Sequence, residues 1–473
     1  MTSFMTISRR LFGGLLVLFP VACGPLIETP YAPPEIAVPA QWSEADAIPP
    51  TPPSPWWRRF DDADLDLLIE EALARNNDLA AATIKVRKAR LQAGLAADKL
   101  VPALSADASV AGSKDWSDRP QALTSSTTST AALSGSLSYE VDLWGRLSRT
   151  LDAARWEAEA TREDREDTAL SLVGTTATLY WKALYLKQRI EMSRQDIAYA
   201  GKTLDLVRVQ KKSGAASALE VLEAEENLRS QEADLDDYLR SQTENNNALA
   251  ILFDGPPRSI AIERPGLPTG ELPAVEAGLP VKLLARRPDL RAAELRLRES
   301  LATVDATRAS YLPTLSLTGS MGSSSTALTQ VLQNPVGTLG AGLTLPFLQW
   351  NEMQLTVKSS QADYEKAVVN FRQTLYAALR DVENALSARR RYTDQAVKLT
   401  AAVEAARGAE RLYEIRYRAG GSTLQVWLDA QNKRRALEET LLENRLNRLV
   451  TQVTLFQALG GDTANNQDGH APL

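Results

Sequence analysis

The sequence predicts an α+β membrane protein with an internal two-fold repeat, in which pairs of β-strands alternate with very long helices. Three observations predict this fold class. Short motifs recur about 200 residues apart, and each copy contains two segments in which apolar and polar residues alternate. In addition, residues 121–255 and 347–471 contain no proline, which permits unusually long helices.

Composition narrows the function classes before any motif is considered. The 473 residues carry 59 acidic and 53 basic side chains, and a net charge of −6 does not favour a nucleic-acid partner. With one Cys and one His, the chain lacks the residues for a Cys/His zinc site or for a His-dependent catalytic triad. We therefore expect no metal, no cofactor other than a covalent lipid, and no enzyme activity.

The N-terminus has the layout of an export signal. Arg9 and Arg10 precede an apolar run over residues 11–19, which is too short to cross a bilayer as a helix. The run ends at Val21-Ala22-Cys23-Gly24, which resembles a bacterial lipobox although Pro20 replaces the usual Leu. We expect residues 1–22 to be a signal peptide and Cys23 to carry lipid. A plain signal with a chance Cys is the alternative.

A proline-rich strap is expected over residues 23–60. Ten prolines lie between residues 24 and 56, and such a segment favours an extended course and does not build a core. We expect it to tether the lipid to the body. Whether it packs onto the body or remains a loose leader is open at this stage.

The body is a tandem duplication. The motif that begins at Leu73 recurs at Leu284, an offset of 211, and Pro102 within Val-Pro-Ala-Leu-Ser recurs as Pro313, again an offset of 211. Gly214 and the motif that follows it recur at Gly420, an offset of 206. We assign a first repeat to residues 61–265, a second repeat to residues 266–461 and a flexible tail to residues 462–473.

Each repeat is expected to begin with a helix and to continue with two strands. Alternation predicts strands over residues 104–110, 133–143, 315–321 and 339–345, with Leu, Ala, Val and Gly on one face. The other face is small and polar, and in the first repeat it is mostly Ser, with Asp107, Glu140 and Asp142. Such a pattern fits a membrane barrel with a wet interior, and a half-buried soluble sheet is the alternative.

Two long helices then complete each repeat. A helix from Leu147 to Lys212 would be about 100 Å long, and such lengths indicate coiled coils. Val221, Leu228, Leu235 and Leu249 share one heptad position, which Gln242 interrupts, and Leu442, Leu449 and Phe456 share another. Glycine supports tight turns, so we place the helix-turn tips at Gly214 and at Gly420 and Gly421.

Four strands cannot close around a lumen, and an open sheet edge is not tolerated in lipid. The sequence therefore predicts that strands from several copies combine. Three copies supply a trimeric 12-stranded β-barrel, with four strands per chain, continued by a long α-helical coiled-coil tunnel.

Several motifs together resemble the outer-membrane factors of tripartite efflux systems, the TolC-like family, and particularly the lipoprotein branch that includes OprM. Their order along the duplication carries the resemblance, which extends from Cys23 to about Gly461. The motifs are Trp56-Trp57, Phe60-Asp61-Asp62, residues 73–79, Leu312-Pro313, Tyr417-Arg418-Ala419-Gly420 and Leu428-Asp429-Ala430-Gln431.

The resemblance implies a homotrimer in the outer membrane that extends into the periplasm. It also implies a periplasmic adaptor and an inner-membrane pump as partners, and export of drugs or other small molecules without catalysis. By position, Tyr417, Glu220 and Asp429 match residues that line the periplasmic aperture of the family, while Val426 replaces the second acid of the family's ring. The resemblance further implies a Tyr417–Glu220 hydrogen bond. The alternative is that Glu220 and Asp429 are ordinary solvated charges on their helices.

Two other functions are compatible with parts of the sequence. A soluble or peripheral periplasmic coiled-coil scaffold would share the long helices but would need no barrel, and it would stay in buffer without detergent. A carboxylate hydrolase would need an acidic cleft, and we find no paired Asp/Glu motif outside the helices.

Overall fold

A computed structural model describes residues 27–43, 55–114, 127–258, 260–275, 278, 280–326, 330–333 and 335–461. Within these ranges, no helix combines the length and the hydropathy that a membrane span requires.

The two halves of the chain have the same order of elements. The first half consists of α1 (Ala63–Arg75), α2 (Asn77–Asp98), β1 (Ala103–Lys114), β2 (Thr127–Val141), α3 (Arg146–Lys212) and α4 (Ala218–Ala250). The second half consists of α5 (Leu283–Arg286), α6 (Pro288–Ser310), β3 (Thr314–Ser325), β4 (Val336–Thr344), α7 (Trp350–Arg418) and α8 (Leu424–Ala458). Helices α3 and α7, of 67 and 69 residues, are each about 100 Å long at 1.5 Å per residue.

The four strands form one antiparallel sheet in the order β1-β2-β3-β4. Its register brings side chains of like polarity into rows across the sheet. One row contains Leu104, Leu137, Gly319 and Leu339, and the adjacent row contains Ser105, Ser136, Ser320 and Thr338. Because successive residues of a strand point to opposite faces, the sheet has one apolar face and one face of mainly Ser, Thr and Gly.

Strands β1 and β4 form the two edges of this sheet, and all their side chains are exposed. The exposed apolar residues include Leu104 at 81% and Leu339 at 92% of their full area. Exposed apolar surface of this extent on a regular sheet indicates contact with another apolar phase or with another chain.

Two predicted strands extend one or two residues too far. The expected ends were Leu143 and Leu345, whereas β2 ends at Val141 and β4 at Thr344. After β2, Asp142 accepts hydrogen bonds from the backbone N–H groups of Leu147 and Ser148 at 3.0 and 2.8 Å. The chain leaves the sheet there because Asp142 satisfies amides in the first turn of α3.

The chain divides into two compact units. The described residues of the first unit come from Met1–Ala32, Leu91–Trp156 and Arg298–Glu365, and they include the whole sheet. Those of the second unit come from Pro33–Arg90, Glu157–Leu297 and Lys366–Leu473, and they contain a large aromatic and aliphatic core.

The core of the second unit includes three tryptophans from the segment that we expected to be a strap. Trp42, Trp56 and Trp57 are buried, and the Trp56 ring stacks on Phe456 with centroids 5.2 Å apart. The expectation that this segment builds no core is therefore wrong for its indole side chains. Proline restricts the backbone, but it does not prevent large neighbouring side chains from burying their area.

Asp62 connects the start of α1 to this core. Its Oδ1 accepts the backbone N–H of Leu65 at 3.1 Å and the Tyr180 hydroxyl at 2.8 Å, and its Oδ2 accepts Arg264 at 2.6 Å. Burial and this hydrogen bond to Asp62 raise the pKa of Tyr180 above its ordinary value. One carboxylate thus caps a helix and orders the segment between the repeats.

Candidate functional site

The candidate site is the pair of helix turns between α3 and α4 and between α7 and α8. Gly214 and Gly420 have φ values of +79° and +73°, which glycine adopts without steric cost. The residue after each glycine donates a backbone hydrogen bond to the carbonyl five residues earlier. Ala215 donates to Gln210 at 2.8 Å, and Gly421 donates to Arg416 at 2.9 Å. Both turns are therefore Schellman caps.

An apolar cluster joins the two turns. We call it the tip cluster, and it consists of Leu204, Val207, Ala224, Tyr417, Leu424, Trp427 and Leu428. The Tyr417 and Trp427 rings stack with centroids 5.3 Å apart and planes at 30°. All four long helices contribute to the tip cluster, so the two hairpins are packed together at their turns.

The structure gives Tyr417 a different partner from the one the resemblance implied. Its buried hydroxyl donates to the Gln210 side-chain carbonyl at 2.6 Å. Glu220 instead accepts the Ser217 backbone N–H at 2.7 Å, and the two residues form a capping box at the start of α4. The expected Tyr417–Glu220 hydrogen bond is therefore not formed, because the Tyr417 hydroxyl donates to Gln210 and one Glu220 oxygen caps its own helix.

Glu220 nevertheless acts on Tyr417 through its charge. The pKa of the Tyr417 hydroxyl is raised above its ordinary value. Burial is the larger cause, and the Glu220 charge is the smaller one. The hydroxyl therefore stays protonated, which keeps it a donor to Gln210.

Asp429 does not join these contacts. It lies exposed on α8 and accepts the Gln425 side-chain amide at 2.9 Å, one helical turn away. Val426, at the position where the family has an acid, is 38% exposed. The structure therefore places Tyr417 in the packed tip cluster and Asp429 on the surface of the same hairpin.

Sequence reasoning missed a buried charge cluster further along the same helices. Arg434 contacts Glu410 and Glu438 at 2.5 Å and Asp196 at 3.1 Å, and no side chain in the cluster is more than 16% exposed. Burial by itself would lower the pKa of Arg434. The charges of Glu410 and Glu438 outweigh burial, so the pKa of Arg434 lies above its ordinary value. The available signal was that the heptad positions of Leu442 and Leu446, continued back by seven residues, fall on Arg435 and Glu439, which adjoin Arg434 and Glu438 and stand where a coiled coil has apolar residues.

A second charge layer, only partly buried, lies nearby in the chain. Arg189 binds Glu439 at 2.7 Å and the Tyr238 hydroxyl at 2.8 Å, and its guanidinium lies over the Tyr238 ring. Together the two layers cross-connect three of the four long helices by charge, because Asp196 and Arg189 are on α3, Glu410 on α7 and Arg434 and Glu439 on α8. Among the described residues, no cluster of His, Cys, Asp and Glu has the arrangement of a metal site.

A family model for outer membrane efflux proteins matches residues 68–253 and 279–461, which is most of the chain. The chain belongs to this family. The toxin and drug export protein A of Aggregatibacter actinomycetemcomitans is 32% identical over 86% of this chain and 88% of its own length. The pyoverdine export outer membrane protein OpmQ of Pseudomonas putida is 32% identical over 97% of this chain and 98% of its own.

Solved structures agree with this assignment. The open state of the Neisseria gonorrhoeae MtrE outer membrane channel has a TM-score of 0.80 and 27% identity, and the match covers 93% of this chain and 98% of that one. The predicted resemblance to the outer-membrane efflux family, the fold class and the function as an outer-membrane efflux channel protein are confirmed. These findings favour that function over the periplasmic scaffold, because the matched structure is a membrane channel of the same fold.

The tip region should lose stability at alkaline pH. The Tyr199 hydroxyl donates a hydrogen bond to Glu414 at 3.3 Å. Burial, as the larger cause, and the Glu414 charge raise the pKa of Tyr199 to about 12. A folded-state pKa above the ordinary value of about 10 means that this stability is complete below pH 10 and is lost as pH rises through 12. Tyr199→Phe should flatten the fall of the thermal unfolding midpoint between pH 10 and 12.

Circular dichroism of the purified protein in detergent measures this slope. The exposed Tyr376, on α7, provides a matched control, and Tyr376→Phe should leave the slope unchanged. An identical slope in Tyr199→Phe and the unsubstituted protein would contradict the assignment.

Proposed function

We propose that this chain is one subunit of a homotrimeric outer-membrane channel that acts as the passive exit duct of a tripartite efflux pump. In this proposal a periplasmic adaptor and an inner-membrane pump deliver small molecules to the duct, and the chain itself catalyses nothing. The observation that carries the proposal is the four-stranded sheet, which has one apolar face and two edges that no other described strand pairs.

The direction of the edge strands supports closure by further copies. Successive strands are antiparallel, so β1 and β4 run in opposite directions, and β4 of one copy can pair antiparallel with β1 of the next. Such a head-to-tail contact forms a ring when the rotation closes. Three copies supply twelve strands, which enclose a lumen, whereas barrels of about eight strands are filled by side chains.

The proposed cargo is small molecules in general. The two curated relatives bear names that refer to export of toxins and drugs and to export of pyoverdine, which are chemically different cargoes. A common exit duct accommodates such variety because selection of the cargo then belongs to the pump. We expect drugs or other small molecules to pass through this chain in the same way.

The tips are the proposed periplasmic aperture. The hydrogen bond from Tyr417 on α7 to Gln210 on α3 joins the two hairpins of one chain, and the stacked Tyr417–Trp427 pair of the second hairpin packs in the tip cluster with apolar residues of the first. We propose that this packing favours the closed state and that a partner opens the aperture by binding the open arrangement more tightly. Glu220 and Asp429 contribute negative charge at the same end of the hairpins.

A lipid on Cys23 completes the proposal for localisation. Cys23 lies outside the described residues, but contacts within the first unit hold Glu28 and Thr29, near the start of the described chain. Within the first unit, the Thr29 backbone N–H and hydroxyl both donate to the buried Asp305 carboxylate at 2.7 Å, and Arg149 pairs with Glu28 at 3.1 Å. An acyl chain six residues before Thr29 would be held within about 20 Å of this clamp.

Two adjacent residues of β4 test the assignment of the faces. Leu339→Arg places a charge on the proposed lipid face and should cost about 2–4 kcal/mol of membrane stability at mid-depth, whereas Thr338→Arg faces the lumen and should be tolerated. The yield of heat-resistant trimer in isolated outer membranes measures the difference. Equal yields from the two variants would show that the sheet does not have a lipid face.

Truncation of Trp427 tests the aperture. Trp427→Ala removes the ring that stacks on Tyr417, and loss of a fully buried Trp costs about 3–5 kcal/mol. Single-channel conductance in planar bilayers should therefore rise while trimer yield is retained. Val397→Ala is the control, since Val397 is exposed on α7 outside the tip cluster and its truncation should affect conductance little. An intact Trp427→Ala trimer with unchanged conductance would refute the role of the tip cluster.

Intact mass tests the lipid anchor. The mature protein should begin at Cys23 and should carry the added mass of acyl groups, and Cys23→Ser should abolish that addition. Cleavage at another position, or a mature chain without acyl groups, would overturn this part of the proposal.

A further inference from the structure

The polar face of the sheet carries very little charge. In the described strands, its ionisable side chains are Asp107 on β1 and Glu140 on β2, and the remaining positions are Ser, Thr, Gly, Ala or Val. We propose that Asp107, repeated in three copies, forms a carboxylate ring inside the barrel that attracts cationic solutes and repels anionic ones. This inference rests on the proposed trimeric barrel with a wet, polar lumen.

The residues in the same row do not neutralise Asp107. Asp107 lies opposite Ser134, which lies opposite Gly322, and Gly322 lies opposite Val336. Directly opposed residues on two strands are about 5 Å apart, so they are the side chains with the best access to the carboxylate. None of the three can carry a positive charge, and the Asp107 charge is therefore uncompensated within its own sheet row.

The second acid of this face is already paired. Both oxygens of Glu140 accept hydrogen bonds from Arg146, at 2.8 and 2.7 Å from the same nitrogen, and Nε adds a third at 3.1 Å. Glu140 also lies six residues along β2 from Ser134, which corresponds to about 20 Å. The Glu140–Arg146 pair contributes no net charge, so Asp107 is left as the charge that sets the potential of this face.

Closure of the barrel supplies no counter-charge from the neighbouring edge strand. Asp107 is on β1, which would pair with β4 of the next copy. Strand β4 reads Val-Gly-Thr-Leu-Gly-Ala-Gly-Leu-Thr and contains no ionisable residue. Whatever the register of that pairing, the three Asp107 carboxylates keep their charge uncompensated by β4.

The size of the carboxylate ring determines the salt concentrations at which its charge acts across the lumen. Twelve strands 4.8 Å apart and tilted by about 40° give a barrel radius of roughly 12 Å, which places the three carboxylates about 15 Å from one another. The Debye length is about 30 Å at 0.01 M salt and about 3 Å at 1 M salt. The three fields therefore overlap across the lumen at low salt and are screened from it at high salt.

A local probe tests this potential without depending on the aperture. Ser109 lies on the same face, two residues and about 7 Å along β1. Ser109→Cys is introduced into the full-length Cys23→Ser protein. The new thiol is then treated, in separate samples, with a cationic trimethylammonium thiosulfonate and with an anionic sulfonate thiosulfonate, and each reaction rate is measured. At 0.01 M salt the ratio of cationic to anionic reaction rates should fall about fivefold when Asp107→Asn is added, and at 1 M salt it should not change.

A compensating variant and a control variant on the opposite, apolar face of the sheet complete the design. Ser134→Asp, added to Asp107→Asn, returns a carboxylate to the same row and should restore the ratio. Ala108→Cys lies on the apolar face and should resist both water-soluble reagents in lipid. The inference is overturned if the thiol of Ser109→Cys reacts but its rate ratio does not change with Asp107→Asn. It is also overturned if Ser134→Asp does not restore the ratio. If Ser109→Cys is as inert as Ala108→Cys, the wet lumen itself, and with it the proposed function, is wrong.

Discussion

The backbone N–H and C=O groups along the outer edges of β1 and β4 have no strand partners within the part of the chain that the structure describes. These edges extend over 12 and 9 residues, and the apolar face between them is exposed. In water such a sheet would aggregate, and in lipid each unpaired backbone group would cost several kcal/mol. The constraint is met when the edges pair with one another between copies. The trimer, the lumen and the position of Asp107 all depend on that pairing.

The strands and turns were predictable because their signals are local. Alternation of Leu and Ser along β2 specifies a two-faced strand, and glycine in an otherwise unbroken helical stretch specifies the turns at Gly214 and Gly420. The contacts of Tyr417 and Arg434 were not predictable. They depend on how four helices are rotated about their axes, and a heptad pattern that tolerates both Gln242 and Leu249 fixes that rotation only loosely. Similarly, proline content did not reveal that Trp56 and Trp57 complete the core.

The two repeats differ at their tips. Tyr417 lies three residues before its glycine, where the first repeat has Lys211, and Trp427 corresponds to Val221. Likewise, Glu220 corresponds to Val426. The two hairpins thus share their Schellman caps, but they supply different side chains to the tip cluster. A stacked Tyr417–Trp427 pair from the second repeat packs onto a smaller apolar surface from the first, and the buried charges of Arg434 and Arg189 secure the helices behind it.

Disulfide mapping of the two sheet edges tests the central claim most directly. One cysteine in β1 and one in β4 are introduced together into the Cys23→Ser chain, the register is scanned, and membranes are oxidised before denaturing electrophoresis. If the edges pair between copies in a closed ring, the correct register gives covalent dimers and trimers, with the trimer as the largest product. Monomers at every register, or a ladder that continues beyond three copies, would contradict the account.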